Sequence, residues 1–177
     1  MMLAFLSLPN VAASESSPDA KQSPLNGTYR HVGGESETRA VEEAIDEAVA
    51  ELNVFIRGIA RRRLREPNLP ADWMKLDIGA DQAAVAQKGR PTIAAPLDEP
   101  PVEWKNPNNG NTLRVSYRAQ SSRRLEQRLR GDRGLSVIRY ELEDDGNTLS
   151  VVTTITADLL EQPLTFQTTY RREGSPP

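Results

Sequence analysis

The pair Asp145-Gly146, set between two runs that alternate apolar and polar residues, constrains this chain more than any other stretch. A type I′ hairpin turn requires positive φ at both central positions, and Gly takes that conformation without strain. Closing the turn there sets Leu142 opposite Leu149, Tyr140 opposite Val151 and Ile138 opposite Thr153. Opposed residues share a face, so one side of the hairpin is apolar. The other side carries Glu141 against Ser150 and Glu143 against Thr148.

The same alternation extends in both directions. From Asn111 onward, turn signals recur at meander spacing: Pro107-Asn108-Asn109-Gly110, Ser121-Ser122, Gly131-Asp132-Arg133-Gly134, Asp145-Gly146 and Glu161-Gln162-Pro163. Five antiparallel strands follow. Leu113, Val115 and Tyr117 alternate with Arg114, Ser116 and Arg118; Leu125, Gln127 and Leu129 with Arg124, Glu126 and Arg128; Leu164, Phe166, Thr168 and Tyr170 with Thr165, Gln167, Thr169 and Arg171. With Gly131 to Gly134 as a four-residue loop, Leu129 faces Ser136 and Leu125 faces Tyr140, which carries the apolar face across the sheet.

Ahead of the meander, Leu25 to Val32 reads as a first strand ended by Gly33-Gly34. One long helix is predicted from Thr38 to about Arg65, because Val41, Ala44, Ile45, Ala48, Val49, Leu52, Phe55, Ile56 and Ile59 form a broad apolar stripe. Ser36 or Thr38 is the expected cap and Pro67 the expected stop. Acids crowd the helix's first half and arginines its last turns, which complements the helix dipole. At ~1.5 Å per residue the rod is roughly 40 Å long, too long to fit inside a small barrel. It must therefore lie across the sheet or over a barrel mouth, with Leu52, Phe55, Ile56 and Ile59 packed on the meander's apolar face. Trp73 to Ile78 is a further strand, and Ala83 to Gln87 and Thr92 to Ala95 are short strand candidates. Pro96, Pro100 and Pro101 mark edges or loops.

The chain of 177 residues fits one domain, expected over residues 24–173, and is long enough to bury a core without staples. Cys is absent, which excludes thiol catalysis and Cys-ligated zinc. Net charge is −3, so the whole chain has no general nucleic-acid footprint, and no apolar run approaches the ~20 residues of a membrane span. Residues 1–23 form a separate segment. Met1 to Leu8 is a short apolar run, and Val11-Ala12-Ala13 has the small residues of a signal-peptide cleavage site. The expected location is periplasmic or secreted, with a Ser- and Pro-containing linker from Ser14 to Ser23.

Few residues can carry chemistry. His31 is the only imidazole, which excludes a multi-histidine metal site, and its place beside a strand end suits a turn histidine. The glycine pairs match no phosphate loop. Asp144 with Asp145 sits at a water-exposed hairpin tip, where nothing would raise a carboxyl pKa, and Asp77 with Asp81 reads as strand-end acids. No cofactor and no metal are expected. Arg outnumbers Lys 18 to 4, with eight arginines between Arg114 and Arg139. They read as a solvated outer sheet face or as a basic surface for an anionic headgroup; nucleic acid is disfavoured because Tyr117 and Tyr140 fall on the opposite face.

Gly27-Thr28-Tyr29 on the first strand, a helical segment before the second strand, a long meander, and Thr169-Tyr170-Arg171 on the last strand together resemble the calycin superfamily of lipocalins and fatty-acid-binding proteins. Those families open on a Gly-x-Trp strand and lay an Arg from the last strand over that aromatic; Gly27, Tyr29 and Arg171 occupy those places here, with Tyr in place of Trp. The resemblance implies binding of a small hydrophobic ligand inside the sheet.

The expected fold is therefore mainly β (α+β): an antiparallel meander barrel or strongly curved sheet with one long amphipathic helix inserted after the first strand. The expected function is a non-catalytic envelope protein that binds a lipid-like or other apolar small molecule, lined by Leu113, Val115, Tyr117, Ile138, Tyr140, Val151, Phe166 and Phe55. The alternative is a structural or interaction protein of the envelope whose barrel is filled by its own side chains. An interior cavity of ~300 Å³ or more would favour the carrier.

Overall fold

The computed structural model describes residues 23–174. The signal-like run from Met1 to Ala13 and most of the linker lie outside the described residues. Ten strands form one antiparallel sheet: β1 Gly27–His31, β2 Trp73–Ile78, β3 Gln82–Gln87, β4 Arg90–Pro96, β5 Val102–Lys105, β6 Thr112–Ser121, β7 Arg124–Gly131, β8 Gly134–Leu142, β9 Thr148–Ala157 and β10 Leu164–Arg172. The sheet runs β4-β3-β2-β1-β10-β9-β8-β7-β6-β5, so the first strand pairs with the last. A bridge from Leu97 to Tyr117 and a hydrogen bond from Asp98 N to the Tyr117 carbonyl (2.9 Å) bring the end of β4 to β6 and nearly close the barrel. The expected antiparallel meander barrel is thus observed.

The meander has the expected register. Leu142 pairs with Leu149, Tyr140 with Val151 and Ile138 with Thr153, and across the Gly131–Gly134 loop Leu125 pairs with Tyr140 and Leu129 with Ser136. The turn itself differs from type I′. Glu143 N donates to the Thr148 carbonyl and Gly146 N to the Glu143 carbonyl, and Gly146 alone takes positive φ, at 71°. A type I turn followed by one left-handed glycine thus spans four residues. Asp145 stabilises it by accepting from Asn147 N and Thr148 N, both at 2.8 Å, and from the Thr148 hydroxyl at 2.6 Å.

The single long helix is replaced by two: α1, Gly34–Ala48, and α2, Val54–Asn68. α1 ends at its cap, Val49, and after a turn through Leu52 the backbone of Asn53 leaves helical geometry and its side chain accepts from Phe55 N at 2.9 Å, an N-cap that starts a new helix. At the front, α1 begins before Ser36 and Thr38. Their hydroxyls donate back to the carbonyls of Gly33 and Gly34 and cap nothing. Pro67 lies inside the last turn of α2, and the Asn68 amide donates to the Leu64 carbonyl there at 2.7 Å. Among the described residues no helix is long and apolar enough to cross a membrane.

The core has two parts. The larger, between the inward faces of the strands, holds Tyr29, Met74, Leu76, Val115, Tyr117, Leu125, Tyr140, Leu149 and Tyr170 among others. The smaller joins Val41 and Ile45 of α1 to Ile155 and Leu164. Since Leu164 pairs with Ile155, Ile155 with Ser136 and Ser136 with Leu129, one row of residues rings this end of the barrel, and α1 covers it on the β9–β10 side.

Candidate functional site

Because side chains alternate across each strand, β6 to β10 must present every second residue to the interior. Val115, Tyr117, Tyr140 and Val151, expected to line a site, are all buried there. Leu113 and Ile138 are partly buried against the same core, and Phe166 is partly buried beneath α1. Phe55 is elsewhere: it stands 87% exposed on the outside of α2, as do Val54 at 74% and Ile59 at 48%. The expected packing of Leu52, Phe55, Ile56 and Ile59 on the sheet does not occur. Once Asn53 breaks the helix, α2 is free to run back along α1, held by Arg61–Asp46 (2.6 Å) and Arg65–Glu42 (2.5 Å), with Leu64 turned to the core.

A polar chain crosses the interior. Tyr140 Oη donates to Gln127 Oε1 (2.8 Å), Gln127 Nε2 donates to Tyr117 Oη (2.7 Å), and Tyr117 Oη donates to the Ile93 carbonyl (2.8 Å). Gln127 is 2% exposed and all its bonds stay within the barrel. Burial pushes the Tyr117 hydroxyl pKa up and the Tyr140 pKa well above the ordinary range, so both remain neutral donors. The residue pattern hints at this network, since Gln127 is the one amide among the apolar and hydroxyl-bearing residues of the meander's inward face.

Arg90, at the helix-bearing end, is the site residue that sequence periodicity misses. A register shift between Val85 and Gln87 sets Arg90 opposite Gln87. Its guanidinium donates to Gln87 Oε1 and to the Leu69 carbonyl just past α2, each at 2.6 Å. Among the described residues it forms no salt bridge with a carboxylate. Burial lowers its pKa, an effect that the nearby Tyr170 and Tyr140 oppose. An Arg remains charged under such a shift, so this is a partly buried cation with unspent capacity for an anion.

The opposite end is sealed by an aromatic and an arginine, with one correction. Tyr29 pairs with Arg172, whose guanidinium carbon lies 4.9 Å from the Tyr29 ring centre, whereas Arg171 pairs with Arg30 on the other face. A one-residue difference in register moves the role from Arg171 to Arg172. Arg172 also donates to the carbonyls of Asn26 and Pro24, the latter at 2.5 Å, tying the residues just before β1 to the last strand.

His31 and Asp145 are held by structural partners. His31 Nε2 lies 3.0 Å from Glu37 Oε2, which also accepts from Thr169 N at 2.8 Å, so the imidazole fastens the start of α1 to the sheet. Asp145 is held down to about 2 by the Thr148 hydroxyl and the Thr148 and Asn147 amides, the reverse of a general acid. Among the described residues no group of three or more His, Asp or Glu could hold a metal ion. Two recesses open on the outer wall: one of about 360 Å³ lined by Gln120, Arg124, Leu125, Arg139, Tyr140 and Glu141, and one of about 170 Å³ lined by Lys75, Asp77, Ala84, Ala86 and Thr92. Neither meets the expectation of a cavity between Leu113, Tyr117, Tyr140 and Phe166.

No protein-family model matches the chain, and no curated protein sequence matches it. Solved structures do. A Schistosoma mansoni fatty-acid-binding protein in complex with arachidonic acid is 14% identical, with a TM-score of 0.50 over 85% of this chain and 97% of that one. A luciferase domain from the dinoflagellate Lingulodinium polyedrum is 13% identical, with a TM-score of 0.53 over 92% of this chain and 45% of that one. A binder and an enzyme domain thus share the barrel, so the likeness fixes the fold and leaves the function to the site.

Proposed function

We propose that this chain is a non-catalytic binding protein that holds a lipid-like molecule with an anionic head at the helix-bearing end of its barrel. The observation that carries the reading is Arg90: a partly buried guanidinium without a carboxylate partner among the described residues, bonded only to the neutral Gln87 Oε1 and Leu69 carbonyl. A buried cation is costly to keep unless something neutralises it. Apolar side chains at the edge of the core supply the rest of a site, since Ile93, Leu113, Leu129, Ile138 and Trp104 are only partly buried against it. The solved relative that carries arachidonic acid in a similar barrel agrees with this choice of ligand. Export follows from the signal-like segment and is part of the proposal. Fractionation of the native source should place mature protein outside the cytoplasm, beginning near Ser14, and an intact Met1 terminus in the cytosol would contradict it.

The test is uptake of two fluorescent probes of equal chain length, a fatty acid and a fatty alcohol. Arg90→Gln should weaken the acid by roughly tenfold or more, the size of a lost charge-assisted hydrogen bond, and leave the alcohol unchanged. Failure of the unmodified protein to take up either probe would favour the second reading, a structural or interaction protein with a filled barrel. That reading draws its support from the Tyr140–Gln127–Tyr117 chain, which spans the interior with its bonds already satisfied.

A further inference from the structure

The outer wall formed by β6, β7 and β8 carries Arg114, Arg118, Arg124, Arg128, Arg130 and Arg139 against two carboxylates, Glu126 and Glu141. The chain as a whole is acidic, so this wall departs sharply from the average. Its ion pairs are distributed unevenly. Glu126, 3% exposed, is gripped by Arg128 Nε at 2.7 Å and Arg139 Nε at 3.1 Å, with Gln120 donating at 3.0 Å. Burial opposes its charge, and the hydrogen bonds and charges of the two arginines more than offset it, so the carboxyl stays below its ordinary range. Arg124 is tied to Glu141. Arg114, Arg118 and Arg130 form no salt bridge among the described residues, although Glu103 stands opposite Arg114 on β5. Moreover Arg114 and Arg130 are directly opposed across β6 and β7. Like charges so placed are destabilising unless an anion bridges them.

We propose that this wall docks on an anionic phospholipid surface, with Arg114, Arg118 and Arg130 as the phosphate-binding residues. Charge complementarity names the chemistry, since guanidinium forks match phosphate oxygens in pairs. Shape and composition narrow the source. The recess in this wall is lined by Arg124, Glu141 and Arg139, whose charges are already paired, so it offers no free cationic groove to a nucleic-acid strand, and the nearby tyrosines, Tyr117 and Tyr140, are buried on the wall's other side and cannot stack on bases. The six large apolar side chains that stand exposed among the described residues (Val32, Val54, Phe55, Ile56, Ile59 and Leu159) all lie off this wall, so contact is made with headgroups and not with lipid chains. The inference stands independently of what the barrel holds.

Flotation of the full chain with phosphatidylcholine vesicles, with and without phosphatidylserine, tests it. Binding should require phosphatidylserine and should fade as added salt shortens the screening length. The triple variant Arg114→Gln/Arg118→Gln/Arg130→Gln should bind about 100-fold more weakly, near fivefold per charge, while its melting curve shows a folded barrel. Arg62→Gln/Arg63→Gln on α2 should bind unchanged. The proposal is overturned by equal binding to neutral vesicles, by undiminished binding of the triple variant, by loss of binding in Phe55→Ser instead, or by preference for soluble polyphosphate or single-stranded DNA over vesicles.

Discussion

The two helices are neighbours of equal length, fifteen residues each, and they spend their apolar residues in opposite ways. α1 buries Val41 and Ile45 completely against Ile155 and Leu164 and exposes no large apolar side chain. α2 buries no residue fully, and Val54, Phe55, Ile56 and Ile59 face water over its first two turns. α1 therefore covers the β9–β10 side of the barrel's end, and α2 is a brace strapped to α1 by two ion pairs. An apolar stripe shows that a helix forms; it does not show that the whole stripe finds a partner.

Truncation should separate the two most strongly. Ile45→Ala should cost about 2–5 kcal/mol as a buried aliphatic side chain removed from a packed core. Phe55→Ala, an exposed aromatic, should stay within about 0.5 kcal/mol. Chemical denaturation of both variants checks this, and equal losses would mean that Phe55 is covered after all. The next effect is at the junction. Asn53→Ala removes the α2 cap and should cost about 1 kcal/mol, seen as lost helical circular dichroism while the α1 contacts persist. An unchanged spectrum would return the two helices to one rod.

Smaller still are the straps. Glu42→Gln and Asp46→Asn should each cost only about 0.2–1 kcal/mol, because the pairs with Arg65 and Arg61 are half exposed. A loss near that of Ile45→Ala would show α2 to be part of the barrel's seal.

A pH series supplies the control that keeps barrel and helices apart. The Asp145 carboxyl has its folded pKa depressed to about 2, against roughly 3.9 in an unfolded chain, so its contribution is complete above about pH 4 and is lost as pH falls towards 2. Asp145→Asn should remove this component of the acid response, and Phe55→Ala should preserve it. An unaltered acid limb in Asp145→Asn would place the turn's stabilisation elsewhere.

What was legible in the chain follows from how local each signal is. The Gly131–Gly134 and Asp145-Gly146 loops pin their strands by counting, so Leu125 opposite Tyr140 and Leu142 opposite Leu149 could be read residue by residue. The turn type could not, because four-residue and two-residue closures there give the same pairing. Asn53 was readable in principle as a cap, yet it sits between Val49 and Phe55 on a stripe that continues through it, and periodicity hid the break. Arg172 against Tyr29 depends on a pairing 143 residues apart in sequence, where no turn fixes the count. Arg90 was hidden for a further reason: a bulge between Val85 and Gln87 breaks the alternation on which inside and outside are assigned.

Native mass spectrometry of the protein purified gently from its own source asks whether the helix-bearing end receives an apolar molecule with an anionic head at Arg90. The account predicts a folded chain carrying one small molecule per copy, released on denaturation and identified as an amphiphilic acid, and absent or strongly depleted in Arg90→Gln. A chain that flies bare, or one whose bound molecule is unaffected by Arg90→Gln, would contradict it.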